Sequence, residues 1–248
     1  MLFEGTLSHL GYRHERTFRV STRDGVIVEA PNRPLAWGPL VEILAGDAYR
    51  LRSIVWDTKI TNHSVLDIGA HVGSFTCALA KQLPDAKFTC VEPSPTSRDW
   101  LIANLEANQL AHRTIVVPAA VGPINGLIDL WQTEPVSYEA TTQAPGSRRH
   151  KTQVDCLTFE SLLAIAGNHV DIVKFDCEGA EYQAVLPTSP ATWLTVDRVF
   201  LEYHPVQDHT FDELIFFFSQ VGLDLIWHQL DPEIDAAGLA HFARKSHR

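Results

Sequence analysis

Val65-Leu66-Asp67-Ile68-Gly69-Ala70-His71-Val72-Gly73-Ser74 is the stretch whose reading decides the fold. Its first five residues form a short apolar run closed by glycine, which reads as a strand. Two glycines then let the backbone turn sharply and come close to a ligand. The helix that follows, Ser74–Leu83, presents free N–H groups at its start. Strand, glycine turn and helix in that order open an α/β unit.

The alternation continues outward from there. Pro84-Asp85 ends the helix and Lys87–Val91 gives a second strand. A helix fits Pro95–Asn108, with Ser94 as N-cap, Pro95 in the first helical position, and Trp100, Leu101 and Leu105 as an apolar stripe. Further strands fall at Thr114–Val117, Ile172–Asp176, Arg198–Tyr203, Leu223–His228 and Gly238–Arg244, with an amphipathic helix over Phe211–Val221. The expected fold is α/β: a seven-stranded, mostly parallel sheet with helices on both faces.

Two regions stand outside this alternation. Residues 1–60 hold a hairpin, Phe18–Val20 and Val26–Glu29 across Asp24-Gly25, and a helix near Pro39–Ala48. They are read as an N-terminal cap segment of the same domain, whose body is 61–248. Residues 123–156 hold a short strand, Leu127–Trp131, and then a polar loop. The part from Glu134 to Thr152 is expected to be a mobile lid over the substrate.

Among 248 residues, 20 Lys and Arg stand against 30 Asp and Glu, a formal net charge of −10. That balance argues against a general nucleic-acid binder. The basic run Arg148-Arg149-His150-Lys151 reads as a solvated loop. Cys77, Cys90, Cys156 and Cys177 show neither a CxxC pair nor zinc spacing and read as reduced thiols. No secretory signal opens the chain, and the apolar stretch Leu214–Phe218 is too short to span a bilayer. A cytoplasmic protein with a small-molecule partner, and neither membrane nor nucleic acid as partner, is expected; the oligomeric state stays open.

Two constellations carry chemistry. In the first, Asp67 precedes the glycine turn and Glu92 ends the next strand, where a carboxylate accepts both hydroxyls of a ribose. A nicotinamide dinucleotide asks for G-x-G-x-x-G, with its pyrophosphate on the helix N-terminus. This turn is G-x-x-x-G, with His71 where the middle glycine would stand, so S-adenosylmethionine, which has no phosphates, fits better. A nicotinamide-dependent oxidoreductase and a cofactor-binding module without catalysis are the alternatives.

In the second, the apolar strand Ile172–Phe175 runs into Asp176-Cys177-Glu178-Gly179-Ala180-Glu181, and the next strand ends Glu202-Tyr203-His204. Glu181 is accounted for as an acid in a solvated first helical turn. Asp176, directly ending a strand, is not. Strand alternation places Glu202 and His204 on one face, so Asp176, Glu178, Glu202 and His204 are expected to converge as the catalytic group. His204 is the better base by its ordinary pKa. A divalent cation among Asp176, Glu178 and Glu202 is chemically feasible but not expected, and no residue is assigned as a metal ligand.

The segments Val65–Gly73, Val91–Pro95, Asn104–Asn108, Val173–Glu181 and Glu202–His204, with Val154–Thr158, resemble the FkbM family of S-adenosylmethionine-dependent methyltransferases. The resemblance runs from about residue 60 to the C-terminus, and the Lys174-to-Glu181 run is its more specific part. It implies a Rossmann-like class I methyltransferase fold and O-methylation of a small hydroxyl-bearing metabolite, such as a sugar, glycoside or polyketide-type natural product. By the same resemblance Asp67, Gly69, His71 and Gly73 line the methionine part of S-adenosylmethionine. Glu92 holds the ribose, Pro93 and Ser94 lie by the adenine, and Ala70, Ser74 and Phe75 complete the cofactor set. The family pattern often has Asn where His71 stands. Residues 1–60 lie outside the resemblance, so the acceptor side is the less constrained one.

Overall fold

The computed structural model describes residues 17–54, 63–133, 136, 141–142 and 150–244. Twelve strands and six α-helices are defined among them. The main sheet contains β3 (Ser64–Ile68), β4 (Lys87–Val91), β5 (Thr114–Val117), β9 (Ile172–Phe175), β10 (Arg198–Tyr203), β11 (Asp224–Leu230) and β12 (Gly238–Ala243). Its order is β11-β12-β10-β9-β3-β4-β5. Every neighbouring pair from β10 to β5 is parallel, and β12 is inserted antiparallel between β10 and β11. The expected seven-stranded, mostly parallel sheet is what forms.

The chain builds outward from β3 in one direction through β4 and β5, then returns to β9 on the other side of β3. The strand order therefore reverses between β3 and β9, and a crevice opens beyond their carboxyl ends. Register puts Ile68 opposite Phe175, so Gly69 and Asp176 leave the sheet side by side. The four residues of β9 are all buried, Lys174 included.

Helices α2 (Ser74–Gln82) and α3 (Pro95–Ala107) follow β3 and β4. Ser94 does cap α3, accepting from the Ser97 N–H at 3.4 Å. On the other side α4 (Phe159–Ala166), α5 (Glu181–Val185) and α6 (Phe211–Gln220) cover the sheet around Trp193, Phe159 and Phe218. A capping box at Thr210 and Glu213 opens α6.

The cap is a hairpin of β1 (Thr17–Ser21) and β2 (Ile27–Pro31), then α1 (Pro34–Leu40). The helix starts five residues before the position read from sequence, because Pro34 sets its first turn. Its continuation Val41–Ala45 is wound more loosely, with the Gly46 N–H reaching back five residues to the Val41 carbonyl at 3.0 Å. Asn104 of α3 and Asn108, its C-cap, seat the hairpin. Asn104 accepts from the Glu29 N–H and donates to the Glu29 carbonyl, both at 2.8 Å, and Asn108 does the same for Ile27 at 3.0 and 2.6 Å. Val20, Val28, Leu40, Leu44 and Tyr49 of the cap share one apolar core with Val65, Phe75 and Leu101.

A second, three-stranded sheet of β6 (Ala119–Val121), β7 (Gly126–Gln132) and β8 (His150–Leu157) was not expected. The sequence reads as polar loop up to the short strand that the resemblance implies at Val154–Leu157, with the lid ending at Thr152. His150–Thr152 instead pair with Leu130–Gln132. Only Val154 and Cys156 of β8 are buried, so the strand shows period-two alternation at one end alone. Most of the remaining lid segment lies outside the described residues. The basic run is likewise described only from His150 onward. Cys77, Cys90 and Cys156 are buried free thiols, and Cys177 is a half-buried one. Among the described residues no helix is long and apolar enough to cross a membrane.

Candidate active site

A pocket of about 720 Å³, part of it open to solvent, lies at the carboxyl ends of β3, β4 and β9. Ile68, Val91, Ala119, Ala120, Val121 and Leu130 make one wall apolar, while Lys174, Asp176 and Glu178 make another charged. Of the residues expected at the cofactor, Gly69, Ala70, His71, Ser74, Phe75, Glu92 and Pro93 line it. Asp67, Gly73 and Ser94 do not, and each has an internal task.

Asp67 is fully buried beneath the turn. One carboxylate oxygen accepts from the Thr76 hydroxyl at 2.7 Å and the other faces the Lys174 ammonium at 3.3 Å. Gly73 starts α2 with φ 89°, where a Cβ would meet Leu101 Cδ1 at 2.8 Å. Ser94 is committed to its cap and to the amide of Gln132 at 3.0 Å. Gly69, with φ 77°, is the tightest point: a Cβ there would sit 1.7 Å from the Asp176 carbonyl oxygen. His71 takes φ 50° in the turn itself.

Glu92 holds the turn in place. Its carboxylate accepts from the backbone N–H of His71 and of Ser94, both at 2.8 Å. Burial pushes it up to about 7, against the pull of those two bonds. Burial takes His71 down to about 4, so the imidazole in the pocket wall is neutral.

Lys174 joins the two halves of the site. Its ammonium lies 3.3 Å from both Asp67 and Asp176 and donates to the Gly69 carbonyl at 2.6 Å. Burial favours the neutral amine, but Asp176 and then Asp67 outweigh it and hold the lysine charged. The sequence places it at the head of the family-specific run but gives it no role; its burial between two carboxylates supplies one.

The four residues expected to converge lie close together, but only Asp176 and Glu178 line the pocket; Glu202 and His204 do not. The His204 imidazole sits just past β10, with Nε2 3.5 Å from Glu178 and 3.9 Å from Glu202, and Nδ1 3.1 Å from Glu181. Glu181 is a correction. It is fully buried rather than solvated, and its Oε1 also accepts from the Cys177 N–H at 3.0 Å. Burial would lower His204, yet the Glu181 charge and hydrogen bond, then Glu178 and Glu202, hold it well above its usual value. Glu178 takes φ 55°, and its carbonyl accepts from the Thr141 hydroxyl at 2.7 Å. Thr142 lines the pocket. Asp176, Glu202 and His204 each bring one atom within 4.8 Å of the others. Protein cations already serve these carboxylates, Lys174 on Asp176 and the imidazole of His204 near Glu202.

A crevice at the switch point of a parallel sheet, a glycine turn on a helix start and an acid ending the next strand are common to nucleoside-cofactor folds, and the family match places this one among the class I S-adenosylmethionine-dependent methyltransferases. The methyltransferase FkbM domain matches residues 67–225. This chain belongs to that family, which sets aside the nicotinamide alternative. Solved structures share the fold. A SAM-dependent methyltransferase from Agrobacterium tumefaciens is 11% identical with a TM-score of 0.53, over 97% of this chain and 72% of its own. A putative transferase from Pyrococcus horikoshii is 11% identical with a TM-score of 0.53, over 94% and 73%. No match was found among curated proteins.

The residues present fit S-adenosylmethionine. The pocket lining offers an apolar wall for an adenine, and the carboxylates of Glu92, Asp176 and Glu178 for the polar parts of the molecule.

Proposed function

We propose that this methyltransferase acts on a hydroxyl oxygen of a small acceptor, with sugars, glycosides and polyketide-type natural products as the leading class. The observation that carries the reading is the His204 imidazole, held at Nδ1 by buried Glu181 and facing Glu178, the carboxylate through which it adjoins the pocket wall. A side chain oriented by a third group is what general-base chemistry on a weakly acidic hydroxyl needs. Bound S-adenosylmethionine supplies an activated methyl group on a sulfonium. Gly69, Ala70, His71, Ser74, Phe75, Glu92 and Pro93 would hold it, and Lys174 fixes the Gly69 carbonyl and the Asp176 carboxylate against it. Asp176 and Glu202 orient the acceptor hydroxyl, and His204 Nε2 takes its proton. The net charge of −10 and the carboxylates at the crevice oppose a polyanionic acceptor.

The test combines a labelled methyl donor, a panel of hydroxylated acceptors and the variant His204→Ala. Turnover is expected to fall by roughly 10²–10⁴-fold with the affinity for S-adenosylhomocysteine unchanged. Because its three carboxylate neighbours hold the imidazole protonated above its ordinary value, wild-type activity should climb as pH rises well past 6.5. A destabilised variant with near-normal turnover would move the base to Asp176 or Glu178. A chain that binds S-adenosylhomocysteine yet methylates nothing in the panel would support the non-catalytic module.

A further inference from the structure

One side chain of the N-terminal cap enters the carboxylate cluster. Tyr49 is 1% exposed. Its hydroxyl lies 3.2 Å from Glu202 Oε2 and 3.5 Å from Asp176 Oδ2. The ring is held edge-on by Phe75 of α2, with centroids 5.2 Å apart, and by Phe200 of β10 at 6.2 Å.

The backbone on both sides of Tyr49 is fixed as well. Asp47 and Arg50 take left-handed conformations, φ 54° and 53°. The Asp47 carboxylate accepts from the backbone N–H of Leu51 and of Arg52, at 2.9 and 3.3 Å. The Arg50 guanidinium lies over the Trp227 ring, 4.7 Å from its centroid, and donates to Gln229 Oε1 at 3.2 Å. Two non-glycine residues in a disfavoured region persist only where their surroundings over-determine them. Here they deliver one phenol to two acids.

We propose that Tyr49 is a positioning residue of the acceptor site, whose hydroxyl donates to Glu202, with Asp176 as its second neighbour, and holds both carboxylates in the orientation that receives the acceptor hydroxyl beside His204. The word acceptor rests on the transfer reading above; the hydrogen bond does not. Lys174 serves Asp176 directly at 3.3 Å, whereas Glu202 depends on Tyr49 as its donor and on His204 3.9 Å away. The charged groups acting on Glu202 are Asp176, Glu178, Lys174 and His204. Burial and then Asp176 push Glu202 up to about 8. Its charge, and with it the strength of the bond from Tyr49, therefore develops across neutral and mildly alkaline pH.

The experiment is a double-mutant cycle of thermal melts on the full chain without ligand, using Tyr49→Phe, Glu202→Gln and the double variant at pH 6 and pH 9. Tyr49→Phe keeps the ring and its packing. Its melting point should fall more at pH 9 than at pH 6, and that pH dependence should vanish in the Glu202→Gln background. An equal fall at both pH values and in both backgrounds would reduce Tyr49 to packing and overturn the proposal. With an acceptor from the panel above, kcat should fall about tenfold while the KM for S-adenosylmethionine stays put; wild-type turnover in the variant would also overturn it. Failure of the wild-type chain to bind S-adenosylhomocysteine by calorimetry would strike the transfer reading instead, and is read separately from the melts.

Discussion

The proposed donor side and the proposed acceptor side of this crevice are built on different principles. The donor side is made largely of main chain: a glycine turn, the ends of two strands, and one acid, Glu92, that binds backbone N–H groups on both of its flanks. Its polar part comes from residues 69–93, and Ala119–Val121 and Leu130 complete its apolar wall. The acceptor side is made of ionisable side chains, Tyr49, Asp176, Glu178, Glu181, Glu202 and His204, from three segments that only the sheet topology brings together. A main-chain site fixes where a ligand lies, whereas a side-chain site can change its chemistry by single substitutions. Lys174 is the hinge of that division, touching Asp67 on one side and Asp176 on the other.

Three substitutions probe the division, from the largest expected effect downward. Gly69→Ala strikes the point where the two sides touch. Its Cβ would sit 1.7 Å from backbone, which no rotamer can relieve, at a φ of 77° that a side chain disfavours. The variant should lose both its cooperative melt and its binding of S-adenosylhomocysteine. A folded, binding Gly69→Ala protein would mean that β3 and β9 can separate without consequence.

Lys174→Met comes second. It leaves the fully buried Asp67 and the Asp176 carboxylate without their shared cation, a loss of about 3–5 kcal/mol for a broken buried pair. Urea unfolding measures it, and adding Asp67→Asn should restore part of the loss. No change would show that the two sides are independent after all.

Glu92→Ala is the smallest of the three and confined to the donor side. Removing charge-assisted bonds to ligand hydroxyls should weaken S-adenosylhomocysteine by ~1.5–3 kcal/mol in calorimetry. Two backbone N–H groups also lose their acceptor, so the melting point should drop with it. Unchanged affinity would remove Glu92 from the site.

The same division explains what could be read from the chain. Strand β3, the turn, α2, β4 and the Ser94 cap are local features, each announced by glycine, proline or apolar runs within a few residues. Asp176 and Glu202 were legible because an acid ending an apolar strand has few structural uses. Glu181 was misread, because an acid in a first helical turn is ordinarily solvated and only the packing of His204 over it reveals its burial. Tyr49 gave no signal at all: one aromatic residue among the apolar positions of the cap looks like core until Glu202 is placed beside it. Asp67 was placed in the pocket wall by its position before the turn. It lies beneath instead, because Lys174, buried mid-strand in β9, needs a counter-charge from below.

The two asparagines at the end of α3 and its cap have a further consequence. On the hairpin, Asn104 and Asn108 address main-chain atoms of Glu29 and Ile27; Asn104 also donates to the Val72 carbonyl in the glycine turn at 2.8 Å, and Asn108 to the Asn104 carbonyl at 2.7 Å. That seat is blind to the side chains of the strand it receives. A hairpin of other sequence could dock on the same two amides provided it keeps small apolar residues at the buried positions of Val28 and Ala30, so the cap behaves as an exchangeable module on a main-chain socket. Grafting in a foreign cap would then alter what reaches Asp176 and Glu202 while the donor half stays as it is, and a chimaera that keeps its affinity for S-adenosylhomocysteine would show the two to be separable.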